Sequence, residues 1–147
     1  LNQTKSPKIE LLDVSGSICK TGVDDIAYAS LLLNKKITAN IGAAIRLQMK
    51  NQTSIIGTKG SILINDPWLP NKKSAVEISS KERTYKSLIN SELDIYANQI
   101  SCVNKSILDG KKEADFPSMK WKHTIDNMLI IDKWKKKLIE INNEKKF

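Results

Sequence analysis

Few residues in this sequence could do chemistry, and they are scattered. His123 is the single histidine, and Cys19 and Cys102 are the two cysteines. The cysteines lie far apart and form no CxxC pair, so no zinc-type ligand spacing is present, and two free thiols are expected. Asp24-Asp25 is an acidic pair, but adjacent residues on a strand point to opposite faces. That spacing suits a strand start better than paired acid–base work. Gly57-Thr58-Lys59-Gly60 has the glycines of a phosphate nest. No helix start follows it, so a plain hairpin turn is the expectation. The sequence holds no GxGxxG, no Walker loop and no recognisable Ser-His-Asp spacing. Tyr28 and Tyr96 read as core or interface residues, since nothing nearby in sequence would make either an acid.

The elements that must position these residues are strands first and helices afterwards. Ile9 to Ile18 and Ile26 to Leu33 read as strands, and Asn34-Lys35-Lys36 as a polar turn before a return strand from Ile37 to Leu47. Gly42 inside that return strand marks a bulge or a close backbone contact. Thr53–Ile56 and Ser61–Ile64 form a second hairpin around the two glycines. Asp66-Pro67-Trp68-Leu69-Pro70 breaks the pattern, because proline removes a ladder donor. Ser74–Ser79 and Arg83–Ile89 are two further strands. A helix capped by Ser91 carries Leu93, Ala97, Ile100, Val103 and Ile107 at helical spacing and stops at Gly110. A last helix begins between Ser118 and Thr124 and runs to about Ile141. Trp121, Ile125, Met128 and Leu129 form one apolar face of it, and Trp134, Leu138 and Ile141 an adjacent one. Trp121, Met128 and Trp134 read as packing residues. Asp132 shares the Met128 face and needs a donor if buried. His123 is an exposed or capping histidine.

This order predicts an α+β fold: an open, mainly antiparallel sheet with two helices on one face. Both alternations of the long strands are apolar or small, so the other sheet face is expected to meet a partner. At 147 residues the chain suits one domain spanning 1–147. No stretch is apolar and long enough to span a bilayer, and the start lacks a secretory core, so a cytoplasmic protein without membrane contact is expected. The first residue is Leu1, which suggests that something precedes it. The net charge of +8 comes almost wholly from lysine, with Arg46 and Arg83 the two arginines. Guanidinium is the usual reader of base edges and phosphates, so a solvated lysine face is favoured over nucleic-acid binding. The densest run, Lys133-Trp134-Lys135-Lys136-Lys137, is expected near a helix C-terminus, where cations offset the dipole.

Thr21-Gly22-Val23-Asp24-Asp25, a strand, a polar turn and a long return strand lead to Ile55-Ile56-Gly57-Thr58-Lys59-Gly60-Ser61-Ile62 and then Pro67-Trp68. That order resembles the C-terminal domain of the glucose-fructose oxidoreductase (Gfo/Idh/MocA) family. Phe116-Pro117-Ser118-Met119-Lys120-Trp121, then Met128 and Ile131-Asp132-Lys133-Trp134-Lys135, resemble its dihydrodiol and xylose dehydrogenase branch. Lys135 stands where that branch usually has arginine. The resemblance spans roughly Val14 to Leu138. It implies a companion N-terminal Rossmann domain that holds NAD or NADP. It also implies hydride transfer to or from a sugar or diol CH–OH group, and a homo-oligomer formed through the open sheet face. The lysine of the family's Glu-Lys-Pro motif, and its hydroxyl-placing tyrosine or histidine, match no position here. The resemblance therefore implies no catalytic, cofactor-binding or metal-binding residue in this chain, and no turnover or tight dinucleotide binding by it alone. It makes Trp68 the substrate-pocket candidate, against a competing role closing the sheet edge. The alternatives are a stand-alone, non-catalytic binding or dimerisation module of the same fold, and a basic nucleic-acid binder.

Overall fold

The computed structural model describes residues 7–144. Seven strands precede two helices: β1 Ile9–Ile18, β2 Asp24–Leu33, β3 Ile37–Ala44, β4 Gln52–Gly57, β5 Gly60–Asn65, β6 Lys73–Ser80, β7 Thr84–Asn90, α1 Ile95–Leu108 and α2 Trp121–Glu144. All strand pairs are antiparallel, and the class is α+β, as the strand-then-helix order predicts. The strands divide into a three-stranded sheet, β1-β2-β3, and a four-stranded sheet, β4-β5-β6-β7. The chain likewise forms two compact units. One holds the chain up to Met49 and from Met119 onward; the other is Lys50–Ser118.

In the first unit, Asn34 and Lys35 take positive φ of 50° and 57°, the conformation of a tight hairpin turn between β2 and β3. The β2–β3 register runs unbroken from Leu33↔Ile37 to Ile26↔Ala44. Gly42 is thus no bulge. It faces Tyr28, and a Cβ placed there would meet the phenol ring at 2.5 Å. The irregularities lie in the β1–β2 pair instead, between Leu11 and Asp13 and between Ser17 and Ile18, and the first sets the exposed Leu12 outside the ladder. The core is Val14, Ala27, Ala29, Leu31 and Leu138, with Leu138 1% exposed. Ala27 and Ala29 are short side chains on the central strand, so the helix can press Leu138 close to the sheet. Ile130, Trp134 and Ile141 flank it at helical spacing.

The expected return strand to Leu47 ends at Ala44. Beyond it the Ile45 N–H still donates to the Asp25 carbonyl at 2.9 Å, and then Arg46 ion-pairs with Asp25 and Met49 Sδ accepts the Tyr28 hydroxyl at 3.7 Å. The reading of Trp121 and Met128 as packing residues also needs correction. Both are exposed, as are Ile125 and Leu129. Contact with the buried cluster is made by Ile130 and residues beyond it, so the first turns of α2 stand clear of it. Asp132 is exposed and needs no buried donor. The lysine run 133–137 is solvated, but α2 continues to Glu144, so the run lies about two turns short of the helix end.

In the second unit, β4 and β5 close on Thr58-Lys59. Gly60 has φ of +152°, and a Cβ there would sit 2.1 Å from the Ser79 carbonyl oxygen, so only glycine fits. β5 and β6 are half-buried, and β7 is exposed along its length. The N-cap of α1 is Asp94, not the expected Ser91: the Asp94 carboxylate accepts the Ala97 N–H at 2.8 Å. The Ser91 hydroxyl donates instead to the Leu93 carbonyl at 2.6 Å. Gly110, at φ 65°, ends the helix as expected. Its N–H reaches the Ile107 carbonyl, and the Lys111 N–H that of Ser106. α1 has no buried residue.

Candidate functional site: a cleft in the second unit

A cleft of about 370 Å³ lies beside the four-stranded sheet, where the proline-bounded loop 66–72 passes from β5 to β6 and the turn 91–94 leads into α1. Its volume is at the lower end of small-molecule pockets, about 300–1,000 Å³. The apolar part is built by Ile64, Val76, Ile89 and Leu93, with Pro67 and Pro70 from the loop. Polar lining comes from Asn65, Asn71, Ser74, Ser91 and Asn98. Lys72 is the one charged residue of the lining.

Most of these polar groups hold the frame. The Ser74 hydroxyl donates to the Asn71 carbonyl at 2.7 Å, and the Ser91 N–H to the Lys72 carbonyl at 2.8 Å. The Asn98 amide reaches the Ser91 hydroxyl at 3.1 Å and the Leu93 and Asp94 carbonyls at 3.2 and 3.0 Å. Asn65 accepts from the Gln52 amide at 3.0 Å. The turn that leads into α1 is thereby tied both to its own helix and to the loop. Chemically the cleft can bind and orient. Its lining offers no acid–base pair and no thiol or carboxylate nucleophile.

Trp68 belongs to the same loop but does not line the cleft. It is 71% exposed, between the two prolines that do. The cleft itself escapes sequence reasoning, because its lining is drawn from β5, the 66–72 loop, β6, β7, the 91–94 turn and α1 without a motif. Its one visible signal is the proline pair bracketing Trp68.

The other sequence candidates fall elsewhere. Asp25, at the start of β2, is buried. It accepts the Ser17 hydroxyl at 2.5 Å and pairs with the Arg46 guanidinium. Its carboxyl is held below the ordinary aspartate value, first by the Ser17 hydrogen bond and also by Arg46, against a smaller opposing effect of burial than of the hydroxyl. It is thus a clamp tying β1 and β2 to the segment after β3, and no acid–base partner stands beside it. Cys19 and Cys102 are free thiols. The Thr21 hydroxyl, 2.9 Å from the Cys19 sulfur, lowers that thiol's pKa. His123 is exposed at the start of α2, where its Nδ1 accepts the Lys120 N–H at 3.4 Å. Among the described residues no cluster of His, Cys, Asp and Glu could hold a metal, and no helix is long and apolar enough to cross a membrane. Gly57–Gly60 joins strand to strand, as a hairpin should.

No known family model matches the chain, and no curated protein sequence matches it. Solved structures do. The 3-ketoreductase KijD10 from Actinomadura kijaniata, in an open conformation with TDP-benzene and NADP, superimposes with a TM-score of 0.63 at 17% identity. That match covers 71% of this chain and 34% of the enzyme's. The same enzyme with NADP alone gives a TM-score of 0.63 at 17% identity, over 71% and 34% of the two chains. With NADP and TDP-benzene it gives 0.64 at 17%, over 71% and 33%. The chain thus spans about a third of the length of the structures it matches. At this identity the likeness establishes the fold: an α+β arrangement of antiparallel sheets with two helices, shared with part of an enzyme solved with NADP.

Proposed function

We propose that this chain is the substrate-side part of a longer NAD(P)-dependent oxidoreductase of the Gfo/Idh/MocA type, acting on a sugar or diol CH–OH group. The supporting observation is the fold shared with one third of a 3-ketoreductase solved with NADP. The order of Thr21–Asp25, Gly57–Gly60, Pro67-Trp68 and Ile131–Lys135 agrees with it.

The described residues do not fit a dinucleotide. Pyrophosphate sites use a glycine-rich turn leading from a strand into an open helix N-terminus. Here the glycine-rich turn runs from strand to strand, and the N-terminus of α1 already holds the Asp94 carboxylate, which would repel a phosphate. On this reading an N-terminal Rossmann domain outside these residues would hold NAD or NADP and supply the hydride chemistry. This chain's part is to wall the substrate pocket, with Trp68 on the 66–72 loop offering an indole face, and to carry the homo-oligomer contact on its uncovered sheet surface.

The test is Trp68→Ala in the complete enzyme. An exposed indole contributes little to the core, so KM should rise several-fold while the melting temperature stays within about 2 °C of wild type. Equal loss of thermal stability and activity would instead make Trp68 a cover for the sheet edge.

A further inference from the structure

Lys72 stands apart from the other groups of the cleft. No ion pair joins it to a carboxylate among the described residues, whereas Lys111 and Lys122 both have aspartate partners. Of the acidic residues that adjoin lining residues in sequence, Asp66, Glu77 and Glu92 do not line the cleft, and Asp94 is committed to the Ala97 N–H. The Lys72 backbone is fixed by the Ser91 N–H on its carbonyl, so the base of the side chain is anchored at the cleft wall. Beside it the Asn71 side chain also lacks a partner among the described residues, while Ile64, Val76, Ile89, Leu93, Pro67 and Pro70 offer only hydrocarbon. The arrangement is an apolar slot with one fixed-base cation and one amide at its edge.

We propose that this cleft binds a small organic anion: an apolar ring or short aliphatic body seated among Ile64, Val76, Ile89 and the two prolines, with a carboxylate or phosphate against Lys72 and Asn71. Two physical terms favour that class together. Hydrocarbon burial in the slot supplies affinity without specificity. A charge-assisted hydrogen bond from the ammonium selects the anion and fixes its direction. The ligand's being the substrate of an oxidoreductase rests on the preceding reading; its binding here does not.

The experiment is calorimetric titration of the chain with benzoate, phenyl phosphate and benzyl alcohol, for wild type and Lys72→Met. Methionine keeps an unbranched apolar stem at an exposed position, so folding is preserved, and circular dichroism checks it. At least one anion should bind roughly tenfold tighter than benzyl alcohol, and Lys72→Met should remove that preference and leave the alcohol unchanged. Tighter binding of phenyl phosphate identifies a phosphoryl ligand, and tighter binding of benzoate a carboxylate; both support the proposal. Raised salt should weaken the anions alone. Absence of binding by all three probes, equal binding of anion and alcohol, or an anion preference that survives Lys72→Met overturns it. None of these results touches the cofactor reading, which depends on dinucleotide binding elsewhere.

Discussion

The carboxylate of Asp25 has the Ser17 hydroxyl on one oxygen and the Arg46 guanidinium on the other. Because its folded pKa lies below the unfolded value, the ionised form is the stabilising one. Its contribution is fully present above the unfolded aspartate pKa, about 3.9, and is lost as pH falls through the lower folded pKa. Asp25→Asn should therefore lower the melting temperature at neutral pH, with the gap to wild type closing in strong acid. Melting curves followed by circular dichroism from neutral pH downward check this, and a gap independent of pH would contradict it. The acidic pair was visible in the sequence. Its partners were not, because Arg46 reaches Asp25 only once β2 and β3 have paired. The distribution of hydrocarbon on α2 was hidden in the same way. Periodicity shows that Trp121, Met128 and Leu138 are apolar, but not that only Leu138 meets a sheet.

At the scale of elements, the hairpins were legible because glycine, proline and polar turns punctuate them. Cap choice was less so. Ser91 and Asp94 both precede the helical pattern, and the decision fell to Asp94 once the Ser91 hydroxyl turned to the Leu93 carbonyl. Asp94→Ala should cost about 1 kcal/mol in urea unfolding, the usual worth of a lost N-cap. Ser91→Ala should cost less, and a larger loss at Ser91 would reverse the assignment. Leu138 is the largest fully buried side chain described. Leu138→Ala should cost about 2–5 kcal/mol, since little nearby can collapse into the gap between α2 and the rigid strands. Trp121→Ala, at the exposed end of the same helix, should change stability by less than about 1 kcal/mol in this chain. The division into three- and four-stranded sheets could not be read from the sequence, because strand patterns do not reveal which edges pair.

For the whole molecule, the informative feature is how much hydrocarbon stays in solvent. Besides the strand residues, Tyr96, Ile100, Val103 and Ile107 on α1 and Trp121, Ile125, Met128 and Leu129 on α2 are all exposed. A protein that ends its folding with such surfaces bare has them available for a partner. A nucleotide-binding domain and further copies of the same enzyme are the partners that the proposed function supplies. The NADP bound by the 3-ketoreductase of matching fold sits in a chain about three times as long as the matched portion. The decisive measurement is calorimetric titration of NADPH and NADH into this chain and into the longer protein proposed to contain it. The account predicts binding at micromolar Kd or tighter to the longer protein, and none to residues 1–147 alone. Tight binding of either dinucleotide to this chain by itself would contradict it.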